Sequence, residues 1–226
     1  MTSWNGTLDS KLIDSIITSL SSNDSSAADI FKKATSSYNI DTDKVGSFVA
    51  DSIKRGVALP TVSSALATML LTRALPRATV SRLGSPSENP MVESWQVADD
   101  ACHAFHGSMI VTIVQALQAI NAASGECGWN VKLTDCLSTW RGGSLVSSNL
   151  LDPLIVALGR TSESPTVDVL EEPSLASELT RRQLGWRRIV TLGIASGVST
   201  STLASSLMYY DSHHAITAYK LGQMYQ

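Results

Sequence analysis

Apolar positions recur at three- and four-residue steps along most of the chain, most densely over residues 101–120. There Cys102, Phe105, Met109, Ile113, Val114, Leu117 and Ile120 form a broad stripe, the pattern of a helix that buries one face. With its approach from Val92 and its close at Gly125 and Gly128-Trp129, this helix spans roughly thirty residues, or about 50 Å at 1.5 Å per residue. That is long enough to be the axis of a bundle, with shorter helices laid against it.

The shorter helices follow from the same periodicity. Leu8, Leu12, Ile13, Ile16, Ile17 and Leu20 predict an amphipathic first helix that ends in the Ser/Asn-rich turn 21–26, and 27–38 predicts a second. Residues 43–55 predict a third, with Phe48, Val49 and Ile53 inward and Gly56 as its stop. Pro60 fits the first position of a fourth, which runs to about Leu83 with Leu66, Leu70 and Leu71 inward and a kink at Pro76. Residues 84–90 read as a loop. After the central helix, 132–141 predicts a short helix, followed by Gly142-Gly143 and a further turn of helix to Leu151. Residues 152–173, rich in Ser, Thr, Pro and acid, predict an irregular excursion. Helix resumes over 175–195, turns at Gly197 and restarts with Ser199 as its N-cap. No alternating strand pattern of useful length occurs. The expected fold is all-α, a single helical domain over 1–226 built around one long central helix.

Composition narrows the function classes. With 226 residues and 43% apolar content the chain can bury a sizeable core. The net charge is −3 and no basic cluster exceeds Arg181-Arg182 or Arg187-Arg188, so nucleic acid is not expected as a partner. Cys102, Cys127 and Cys136 are unevenly spaced and form no CxxC pair. They read as buried thiols in a reducing compartment, the cytoplasm, rather than a disulfide frame or a zinc site. Residues 1–5 lack a basic n-region, and Asp9, Lys11 and Asp14 interrupt the first apolar positions, so no signal peptide is expected. His103, His106, Gln115 and Gln118 break up the central helix, which argues against a membrane span.

Generic catalytic motifs are missing: no GxGxxG, P-loop, HExxH or GxSxG occurs. His103 and His106 are three apart on one helix face and could ligate a metal or act as acid and base. With no third ligand evident, the pair reads as structural or solvent-facing, and no metal is expected. His213 and His214 are adjacent and point different ways on a helix. Glu126, beside Gly125 at a helix end, reads as a local hydrogen-bond partner.

Three blocks carry a more specific signal. Trp4-Asn5-Gly6-Thr7-Leu8-Asp9-Ser10-Lys11-Leu12 resembles the WNxxxLDSxLI entry to the helical C-terminal domain of 6-phosphogluconate dehydrogenase. Glu126-Cys127-Gly128-Trp129 followed by Thr139-Trp140-Arg141-Gly142-Gly143 resembles that family's EFGW…MWRGG pair at similar spacing. Gly185-Trp186-Arg187-Arg188-Ile189-Val190, then Gly197-Val198 and Leu207-Met208-Tyr209-Tyr210-Asp211, resembles its WRRVV…AGIP…LxYYD run. The blocks occur in the family's order and cover nearly the whole chain. The resemblance implies a large all-α bundle that forms most of a homodimer interface.

The departures from that pattern bear on function. In the family, an N-terminal Rossmann domain binds NADP, and the helix joining the two domains carries the catalytic lysine and the substrate-binding asparagine and glutamate. The resemblance begins after that helix, so neither the cofactor domain nor those proton-transfer groups is expected here. The family's GTGKW segment holds a substrate-pocket lysine, and counting back from Gly56 places Gly46 there, in Lys44-Val45-Gly46-Ser47-Phe48. The family's phosphate-binding arginine falls on Met69, a full turn from Arg73. The family's C-terminal RDYFGAH segment, which supplies arginine and histidine to the partner's site, would begin about where Gln226 stands. By this alignment the chain alone is not a working 6-phosphogluconate dehydrogenase.

The pocket that the resemblance implies would be lined by Phe48, Met69, Tyr209 and Tyr210, with Arg73, Trp140 and Arg141 nearby. Met and Phe in place of charge clamps imply either a collapsed core or a pocket for an apolar ligand, and Arg141 in its WRGG turn could simply bond helix-end carbonyls. Three readings follow. The first is a cofactor-free enzyme that folds an apolar small molecule and promotes its cyclisation or isomerisation, as a pericyclase or Diels-Alderase of secondary metabolism would. Such reactions need shape and one or two hydrogen-bond donors more than strong acids or metals. Its candidate donors are Arg73, Tyr209, Tyr210, Trp140 and His106. The second is a non-catalytic dimeric binding module. The third is the helical half of a split NADP-dependent oxidoreductase, which would leave an apolar patch exposed where the linking helix docks.

Overall fold

The computed structural model describes residues 40–74, 93–142, 144, 146–160 and 168–224. The helices expected over 8–20 and 27–38, the kink at Pro76 and the loop over 84–90 lie outside them. Among the described residues there are seven α-helices and one 3-10 turn, in the order α1 (Thr42–Lys54), α2 (Pro60–Ala74), α3 (Ser94–Cys127), α4 (Leu133–Arg141), α5 (Leu151–Arg160), the 3-10 turn (Asp168–Glu171), α6 (Pro173–Ala195) and α7 (Ser201–Met224). They form two compact units: 42–122 with 176–224, and the remainder centred on 123–175.

In the first unit α1 packs on α2, and α2 packs on α7. The stripe that α1 buries differs from the one expected. Val49 and Ser52 are buried, whereas Phe48 is 37% and Ile53 62% exposed. At 100° per residue, 45, 49 and 52 share a face and 53 has rotated past it. Ser52 is tolerated inside because its hydroxyl donates to the Phe48 carbonyl at 2.8 Å. Leu70 and Leu71 of α2 likewise face outward, with 49% and 60% exposure. A helix this apolar on all sides carries no pattern that selects a face.

α3 holds 34 residues, about 51 Å by its rise. Its burial is not the single stripe expected. Ala104, Ile110, Val111, Ile113, Val114, Leu117 and Ala119 are all buried, while Cys102, Phe105, Met109 and Ile120 are only partly so. Gly125 lies inside the helix, and Gly128 ends it with φ +66. There the Trp129 N–H reaches back to the Ser124 carbonyl at 3.0 Å, a closure that the left-handed conformation permits. α3 has the length and composition of a membrane span, with 56% of its most apolar window buried within the protein, as core helices also show.

Polar side chains on α3 are matched individually. Gln115, fully buried, accepts the Thr61 N–H at 3.2 Å and donates to Thr61 Oγ1 at 2.9 Å. Pro60 opens α2 without an N–H, so Gln115 supplies the acceptor for the next exposed donor of that helix end. Gln115→Leu leaves both Thr61 groups buried and unpaired, and is expected to cost about 1–3 kcal/mol. Urea unfolding measures this; an unchanged midpoint would show that Thr61 finds another partner. The Ser206 and Ser108 hydroxyls lie 3.0 Å apart, joining α7 to α3. The restart of α7 also differs from expectation. Ser201 is its first helical residue, and the Thr200 carbonyl accepts the Ala204 N–H at 2.8 Å, so Ser199 lies one residue too early to cap it.

In the second unit α4 buries Leu133 and Leu137 and packs on α5, which buries Leu151, Leu154, Ala157 and Leu158. α5 and the 3-10 turn fall in the stretch expected to be irregular. A helical turn is expected before Leu151; none of the described residues from 142 to 150 is helical, and helix begins at Leu151. Pro153 marks a helix start, not a break, because first-turn N–H groups have no intrahelical partner. Val169 and Leu170 of the 3-10 turn are buried. Glu172 then caps α6: its carboxylate accepts the N–H groups of Ser174 at 3.0 Å and Leu175 at 3.3 Å, the Ser174 hydroxyl, and Arg160 Nη1 at 2.9 Å. These bonds, the Ser174 hydroxyl foremost, hold the carboxyl below its usual range. Glu172→Ala is expected to lower stability by about 0.5–2 kcal/mol. Because the folded value is depressed, that contribution is present above the free carboxyl's range and disappears as pH falls through it. Urea titrations of both proteins at pH 7 and pH 3 check the convergence.

Candidate functional site

The first unit brings most of the sequence-derived candidates onto neighbouring helices. Gly46 faces Leu66 across the α1–α2 contact, where an added Cβ would meet Leu66 Cδ2 at an ordinary 3.8 Å. Space alone therefore does not require glycine there. α2 and α7 are joined by Thr68 Oγ1 and Ser201 Oγ at 3.0 Å. Met69 is half-buried beside that link. Arg73 is exposed, and its Nη1 donates to Thr42 Oγ1 at 2.9 Å.

Tyr209 and Tyr210 lie eight and nine residues along α7 from Ser201, about 12 Å further up the helix at 1.5 Å per residue. Tyr209 donates to Gln118 Oε1 of α3 at 2.8 Å, and burial pushes its hydroxyl above the ordinary value. Its proton is thus held by Gln118, and what the oxygen offers outward is a lone pair. Tyr210 leans on Trp186 at 6.4 Å between ring centroids and stacks on His214 at 6.5 Å. Leu70, Leu71 and Met208 on the same two helices are exposed.

His106 is elsewhere. It lies twelve residues before Gln118 on α3, about 18 Å along the axis, and faces α6. Its Nε2 is 3.4 Å from Glu178 Oε1, and its buried Nδ1 has no hydrogen-bond partner. Glu178 also receives Arg181 and, at 2.6 Å, Arg182 Nε. Burial, followed by the charge of Arg182, pushes His106 down to about 3, so the ring is neutral at pH 7. His103 is joined by Asp99 and Asp100, with potential ligand atoms within 4.8 Å of one another. Asp100 is held by Arg188, whose Nε donates at 2.8 Å.

Trp140 and Arg141 belong to the second unit, at the end of α4. Arg141 forms a two-pronged pair with Asp152 of α5, with Nη2 donating at 2.6 Å, and its carbonyl accepts the Ser147 hydroxyl at 2.8 Å. Its guanidinium therefore ties α4 to α5. The cysteines are free, as expected, but none is fully buried, and Cys127 is exposed at the end of α3. The sequence reading missed Gln118, Thr42, Glu178 and Asp152, the partners of the residues it singled out. No motif marks them, because each pairing depends on helix packing between segments distant in sequence.

Comparison with known proteins agrees with this architecture. The family model for the C-terminal domain of 6-phosphogluconate dehydrogenase matches residues 2–223. Among curated relatives, decarboxylating 6-phosphogluconate dehydrogenase 2 of Arabidopsis thaliana is 37% identical over 122 residues, covering 54% of this chain and 25% of the relative. Enzyme 1 of Oryza sativa subsp. japonica is 35% identical over 58% of this chain and 27% of its own length. Enzyme 1 of Spinacia oleracea is 30% identical over 73% and 35%. The chain thus spans about a quarter to a third of the relatives it matches. The solved Plasmodium falciparum 6-phosphogluconate dehydrogenase superposes with a TM-score of 0.58 at 20% identity, over 73% of this chain and 36% of that one, a likeness of fold. The chain belongs to the family of 6-phosphogluconate dehydrogenase C-terminal domains.

Proposed function

We propose that this helical scaffold serves as a cofactor-independent cyclase or isomerase in the cytoplasm, binding an apolar small molecule along the α2–α7 seam, as a homodimer. The observation that carries the reading is the character of that seam. Met69 and Gly46 stand where the family resemblance assigns an arginine and a lysine, Leu70 and Leu71 are exposed at the Met69 end of the seam, and Met208 is exposed next to half-buried Tyr209 and Tyr210 about 12 Å further along α7. Such a surface suits an elongated apolar molecule better than a phosphorylated sugar acid. Phe48 at the α1 rim would add contact area. Tyr209, with its proton held by Gln118, would accept a hydrogen bond, and Arg73 and Tyr210 could donate. Catalysis would come from holding one reactive conformer and stabilising charge as it develops.

A second reading, a non-catalytic dimeric module, draws on the exposed Trp95, Leu184, Ile194 and Val198 of the same unit, since apolar side chains in such numbers also suit association. One experiment separates the two. The purified protein is incubated, without nucleotide, with metabolite extract from a strain lacking its gene, and isomers are resolved by chromatography and mass spectrometry. The expected result is one compound falling as an isobaric product rises. Met69→Arg should slow that conversion by about tenfold or more, the effect of losing about 1.4 kcal/mol of binding, while leaving the folded dimer intact. Full activity in Met69→Arg would move the site away from α2. No conversion at all would favour the dimeric module, and turnover only with NADPH and lysate would point to the helical half of a split oxidoreductase.

A further inference from the structure

We draw no further inference here: the strongest candidate, the Asp99–Asp100–His103 cluster on one turn of α3, places three potential ligand atoms within 4.8 Å of one another, but both Asp100 oxygens already accept hydrogen bonds from Arg188 and no second observation points to a cation there.

Discussion

Trp186→Ala is expected to remove about 3–5 kcal/mol of stability, the range for deleting a fully buried large side chain. Trp186 is 0% exposed and sits among Ala104, Val111, Val190 and Leu207. Its indole N–H donates to the Leu203 carbonyl at 3.0 Å. That carbonyl also accepts the Ser206 hydroxyl at 2.9 Å, so the lost hydrogen bond leaves no bare acceptor and the cavity dominates. The reason the ring fits at all is Gly107: a Cβ there would lie 2.7 Å from two ring carbons. Alanine is the better helix former by about 1 kcal/mol, yet in a packed core the overlap outweighs it, and Gly107→Ala alone should destabilise by about 1–3 kcal/mol. In the Trp186→Ala background the obstruction is gone, and the same substitution should become neutral or stabilising. A double-mutant cycle in urea reads that reversal of sign. Gly125→Ala, in the same helix with nothing within 4 Å of its new Cβ, is the control and should not destabilise. Additive effects at 107 and 186 would show that the ring does not rest on the glycine.

This pair also shows where sequence reasoning stops. The WRRIV block identified Trp186 as part of a family pattern, and periodicity identified α3, but neither says that residue 107 is where the two helices touch. Local signals were the legible ones. Gly56 and Gly197, like Gly128, end their helices with positive φ, Pro60 opens α2, and α1 starts and stops within a residue of its expected bounds. Within the stretch expected to be irregular, the described residues 152–160 are helical, because Asp152 and Pro153 are equally the composition of a helix start. Facing directions failed for a different reason. In Pro60–Ala74 apolar residues surround the helix, and only contact with α1 and α7 decides that Leu70 and Leu71 point outward. The candidate site was legible in the same partial way. Its residues could be named from the blocks, but the 12 Å between Met69's end of α7 and the tyrosines, and the separation of His106 from both, arise from helix register that no motif encodes.

His106 leads to the other large expected effect, a loss of stability on acidification. In the unfolded chain its imidazole titrates at its ordinary 6.5, whereas in the fold burial holds it near 3. Between these values the unfolded state binds a proton that the folded state refuses, so stability falls as pH drops from 6.5 towards 3 and is fully present above 6.5. One proton corresponds to about 1.4 kcal/mol per pH unit, or on the order of 5 kcal/mol across the window. Glu178 does not rescue the charged ring, because the positive charges of Arg182 and Arg181 paired with it oppose protonation of the buried imidazole. His106→Leu removes the titrating group and the unpartnered Nδ1 at once, so the variant should be less stable than the parent by no more than the lost Glu178 contact at pH 7 and more stable by pH 5. Urea midpoints at half-unit steps from pH 7 to 5 test this above the carboxylate range, where the acids that also shift, such as Glu172, contribute little. A parent slope unchanged by His106→Leu would mean that the ring takes up its proton in the folded protein, with the α3–α6 contact opening to admit it.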